Sequence, residues 1–168
     1  MLQTIFSRIG WGAALLLLQV LVFNHIHLGG YATPMPYVYL LMILPGNTPR
    51  WLYIVTGFAF GLTLDIFTST PGLTASALCL CGLFVPLLLS LFSPAETDGE
   101  APEPSARAMK WGPFSRYALF VILLHCSAFF VVEAFTFSLW PDLLLQIASS
   151  SVLTLVFVLC FEGLRSSR

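Results

Sequence analysis

Apolar residues run along this chain in long, nearly uncharged blocks, with neither the strict alternation of a half-buried strand nor the one-sided stripe of a surface helix. The blocks are Ile9 to Leu28, Pro34 to Leu44, Trp51 to Phe67, Gly72 to Phe92, Tyr117 to Phe137 and Leu143 to Phe161. A helix that is apolar on every side is buried in a large protein or in lipid, and about 20 such residues cross the hydrocarbon core. All but the second block meet that length. The second is short and is bracketed by Pro34, Pro36 and Pro45, so it reads as a tilted span extended back towards residue 30 or as a re-entrant piece. The pattern predicts spans over about 9–28, 30–45, 51–68, 72–92, 117–137 and 143–162, with one hydrophilic segment, 93–115, after the fourth.

Charge placement decides between the two readings of the second block. Six spans with the amino terminus inside put Arg8, Arg50, Arg107, Lys110, Arg116, Arg165 and Arg168, every Lys and Arg of the chain, on the cytoplasmic side. If the second block does not cross, the segment with Arg107, Lys110 and Arg116 falls outside, against that bias. The expected fold is an all-α integral membrane protein of six transmembrane helices, one domain over 1–168, with both termini cytoplasmic. Composition agrees: 9% of residues are charged and 58% hydrophobic, where soluble domains carry about 25% charged residues. The first block lacks a small-residue cleavage site and reads as a retained span. Segment 93–115 holds four acidic residues and four prolines, the composition of a disordered cytoplasmic linker.

Candidate chemistry is sparse. Cys79, Cys81, Cys126 and Cys160 lie inside apolar blocks without ligand spacing. There is no phosphate-binding loop, no GxSxG, no HExxH and no basic stripe, so no enzyme activity, cofactor, metal or nucleic-acid partner is expected. Asp65 and Glu133 sit at similar outer depth, with Asn24, His25, His27, helix N-termini or each other as candidate partners. They suit either a proton or cation site or an interhelical hydrogen bond that fixes packing, and the absence of further acidic residues through the inner half, apart from Glu162 at its edge, favours packing. His125, in mid-span beside Ser127, suits a hydrogen bond to a neighbouring helix, and Gln19 and Gln146 can bond across helices. Gly57 and Gly61 give a GxxxG spacing that admits a second helix, and Pro71 with Gly72 marks a tight outer turn.

The stretch GFAFGLTLDIFTSTPGLTASALCLCGLFVP, Gly57 to Pro86, resembles the signature region of the rod shape-determining membrane protein family MreD, in its Bacteroidetes-like form. LQVLVFNHIHLGGYATPMPYVYLLMILP, Leu18 to Pro45, is similar to that family's first two spans and the loop between them. RYALFVILLHCSAFFVVEAFTF, Arg116 to Phe137, is similar to its fifth. The ordered set is Gln19, Asn24, Pro34, Pro45, Gly61, Asp65, Gly72, His125 and Glu133. Thr74 and Val85 depart from it, standing where the family is expected to carry His and Arg. The resemblance implies a non-catalytic scaffold of the cell-elongation complex in the bacterial inner membrane. Such a subunit binds MreC and, through it, MreB, RodA and the penicillin-binding transpeptidase that partners RodA. It also implies a fold similar to the substrate-binding membrane subunits of energy-coupling-factor transporters. The rival expectation follows from that fold: a vitamin-type uptake subunit in which Asp65, Glu133, Asn24 and the outer histidines converge on a cavity, with Trp140 and Tyr31 stacking a ring.

Overall fold

A computed structural model describes residues 2–23, 32–93, 104–134 and 140–166. In chain order these form α1 (Leu2–Leu21), a 3-10 turn (Pro36–Val38) leading directly into α2 (Tyr39–Met42), α3 (Arg50–Thr68), α4 (Leu73–Phe92), α5 (Ala106–Met109), α6 (Trp111–Ala134) and α7 (Trp140–Ser166). Among the described residues the chain is all helical, without strands. Helices α3, α4, α6 and α7 are each long and apolar enough to cross a membrane. Leu62, Ile66, Leu83, Leu87, Val152 and Val156 on three of them stand exposed, a surface suited to acyl chains rather than water. The four helices are those of a membrane-embedded protein.

The second predicted span is not a regular helix. The prolines explain why: Pro34 and Pro36 lack donors, and each steers the residue before it away from the α region. Residues 33–35 take no regular structure, and helix exists only over Pro36–Met42. This piece forms the core of the bundle, because Met35, Tyr37, Val38, Tyr39, Leu41, Met42 and Ile43 are all buried. Irregular backbone in a buried place needs partners supplied by the protein, and α7 supplies them. The Thr33 amide donates to Ser150 Oγ at 3.0 Å, and the Met35 amide to Thr154 Oγ1 at 2.9 Å.

The order of contacts along this segment is regular. Gln19 of α1 donates to the Pro34 carbonyl and Trp11 meets the Tyr39 ring edge-on, so α1 runs opposite to the segment. His125 of α6 meets Tyr37 while Tyr117 donates to the Met42 carbonyl, so α6 also runs opposite. On α7 the partners of positions 33, 35 and 39 are Ser150, Thr154 and Glu162, in the same sense. At about 1.5 Å per residue, that stretch of α7 covers roughly 18 Å.

Segment 93–115, expected to be a disordered linker, is folded over its second half. Ala106, Met109 and Phe114 are buried, Ser105 caps α5 by accepting from the Ala108 amide at 3.1 Å, and α6 already begins at Trp111. Three apolar anchors and a cap outweigh the polar composition that suggested disorder. Residues 94–103 lie outside the described part. Between α5 and α6, Lys110 adopts φ 66° and ψ 158°, a region occupied almost exclusively by glycine and costing another residue about 1–3 kcal/mol.

Candidate functional site

Asp65 lies in the last turn of α3 and is buried. The helix ends at Ser69 in the left-handed conformation, and Thr70–Leu73 close a turn in which the Leu73 amide donates to the Thr70 carbonyl. Gly72 at φ 85° and ψ −9° takes the position that Pro-Gly favours in a type II turn. Gly72 is also the N-cap of α4 and has no side chain to offer the helix's orphan amides. Asp65 meets that need from across the hairpin. Its Oδ1 accepts from the Thr74 amide at 2.8 Å and its Oδ2 from the Ala75 amide at 3.0 Å, while the Thr70 hydroxyl adds a contact at 3.2 Å. Negative charge suits a helix N-terminus, so these carboxylate oxygens work as a cap.

Gly57 and Gly61 carry the same hairpin inward. A Cβ on Gly61 would lie 2.5 Å from the Ala75 Cα, and one on Gly57 would lie 2.7 Å from the Leu78 carbonyl oxygen. The GxxxG spacing therefore packs α3 onto α4 at backbone distance. Gly82, which the sequence reading passed over, reciprocates from α4: its Cβ would lie 2.7 Å from the Tyr53 carbonyl oxygen. It falls seven residues after Ala75, one full pair of turns along the same face, and that spacing was the available signal.

The other expected residues do not gather around Asp65. His125 is fully buried, its Nε2 is 2.9 Å from the Tyr37 hydroxyl, and the two rings meet edge-on. Gln19 holds Pro34, as above. Glu133 is exposed on the last turn of α6, whereas the hydrogen bonds described for Asp65 all stay within its own hairpin. Of the partners expected for Asp65, a helix N-terminus is the one described: the first amides of α4 take its carboxylate. Pro71 and Gly72 are exposed in the turn. Asn24, His25, His27 and Tyr31 lie outside the described residues. Trp140 stands exposed at the start of α7. A shallow groove of about 390 Å³ is lined by Leu40, Val55, Thr56, Ala59, Phe60 and Thr63, and none of the expected site residues lines it.

A second carboxylate emerges at the far end of the segment. Glu162, expected only as an edge residue, is fully buried. Its Oε2 accepts from the Tyr39 hydroxyl at 2.5 Å and its Oε1 from the Ala106 amide at 2.7 Å, and Arg165 Nε lies 3.5 Å away. Arg165 also donates to the Pro104 carbonyl at 2.9 Å. One carboxylate thus joins the buried segment, the end of α7 and the refolded part of the linker. Tyr39 and Ala106 sit 123 and 56 residues from it, too far for any local motif to announce them.

Among the described residues no group of His, Cys, Asp and Glu is placed to hold a metal ion, and the four cysteines are free. The carboxylates and His125 bond to the protein itself, so the arrangement builds and holds a bundle. No family model, curated protein or solved structure matches the chain.

Proposed function

We propose that this chain is a non-catalytic scaffold subunit of a bacterial cell-elongation complex. In this reading it crosses the inner membrane six times with both ends in the cytoplasm. It binds MreC and, through it, serves MreB, RodA and the penicillin-binding transpeptidase of lateral peptidoglycan synthesis. The observation that carries the reading is how the residues bearing the resemblance are used. Gly57, Gly61, Asp65 and Gly72 build one hairpin, while Gln19 and His125 hold the buried segment. A signature made of fold-building residues suits a protein that acts through its surface. Six crossings are supported by the sense of the contacts: residues 33–39 follow α7 over about 18 Å, and α1 and α6 run opposite. That is the alternation six spans require when the linker lies on the amino-terminal side.

Affinity purification from native membranes in mild detergent, with mass spectrometry of the partners, tests the proposal. Recovery of MreC with wall-synthesis proteins is the expected result. Recovery of paired ATPases with a coupling subunit replaces the scaffold with a substrate-binding transporter subunit.

A further inference from the structure

Where α5 passes into α6, against the C-terminal end of α7, the fold leaves cations and an indole on the surface. Arg107, Lys110 and Trp111 are exposed. The Trp111 ring lies over α7, its Cη2 3.8 Å from where Gly163 would carry a Cβ. Arg107 donates one guanidinium nitrogen to the Ser166 carbonyl, which fixes its side chain while the residue stays exposed. The nearest buried acid does not serve these cations: Glu162 is engaged by Tyr39, Ala106 and Arg165. Lys110 occupies a backbone conformation in which glycine would be unstrained. The turn alone calls for glycine, so the ammonium group is what the strained position contributes. Leu164, the next residue after Gly163 on α7, stands exposed, so this end of α7 carries apolar surface as well.

We propose that this shelf binds the phosphodiester headgroup of an anionic phospholipid, with Lys110 and Arg107 on the phosphate, Trp111 at the level of the glycerol and the acyl chains along α7. A guanidinium fork and an ammonium match phosphate oxygens, indoles settle at the headgroup level, and basic residues at helix ends recruit anionic lipid. The lipid is the occupant the chemistry selects, because the shelf joins positive charge to a surface bathed in acyl chains. Which leaflet this is rests on the topology proposed above. The contact does not, so a failed partner purification and a failed lipid test are separate results.

The full-length protein, reconstituted in nanodiscs of equimolar phosphatidylcholine and phosphatidylglycerol and released for native mass spectrometry, should retain phosphatidylglycerol preferentially. Removing one charge with Lys110→Gly should cut that retention about fivefold, the factor of one basic residue at a membrane surface, while raising the melting temperature because the backbone strain is relieved. Lys110→Gly combined with Arg107→Gln should abolish the preference. Equal retention of both lipids by the unaltered protein overturns the proposal, as does a preference untouched by the double substitution. A preference that emerges only when Glu96, Asp98, Glu100 and Glu103 are changed to their amides also overturns it, since the chain's own acidic segment then occupies the shelf.

Discussion

Asp65 and Glu162 are both buried carboxylates that accept from the first amides of another helix, yet they organise the chain on different scales. Asp65 closes a hairpin whose partners lie within ten residues of it, so α3, turn and α4 form one unit. Glu162 draws together a hydroxyl from the second segment and an amide from α5. One carboxylate finishes a local structure, whereas the other decides whether distant pieces meet. The same chemistry therefore stabilises an element in one place and specifies the tertiary arrangement in the other.

Three substitutions test that difference. Glu162→Ala should have the largest effect, about 3 kcal/mol, because it orphans the buried Tyr39 hydroxyl and the Ala106 amide together. In detergent it should lower the melting temperature and expose the chain near Pro104 to added protease, and unchanged cleavage there would show that the clasp is held elsewhere. Asp65→Ala should cost about 2 kcal/mol, as expected for loss of a charged cap to two amides. Hydrogen exchange should rise at Thr74 and Ala75 while the Pro104 region stays protected. Assembled protein should fall more than any activity does, and normal abundance with complete loss of function would make Asp65 a working residue. Gly72→Ala should be mildest, about 1 kcal/mol for a Cβ at positive φ, and its exchange should rise only around the turn. If Asp65→Ala and Gly72→Ala together cost no more than Asp65→Ala alone, turn and cap act as one device.

The hairpin was legible because its determinants are close in sequence: GxxxG, an acid, then Thr-Pro-Gly, each with a local meaning. The apolar blocks likewise announced α3, α4, α6 and α7. What could not be read is the second segment, whose amides depend on Ser150 and Thr154, 117 and 119 positions downstream. Pro34, Pro36 and Pro45 signalled irregularity there but not the partner. Glu162 was hidden for the same reason. The linker misled because composition averages over a stretch whose last twelve positions hold Met109 and Phe114 as anchors.

The buried segment has a consequence for biogenesis. A nascent helix can enter the bilayer alone because its backbone is satisfied within itself, but the amides of Thr33 and Met35 find their acceptors on α7, the last described helix to leave the ribosome. Residues 32–43 must then wait through synthesis of four longer helices, and settle only when α7 arrives. Assembly of this protein should thus end at a stretch made near its beginning, and loss of α7 should leave that stretch without its acceptors.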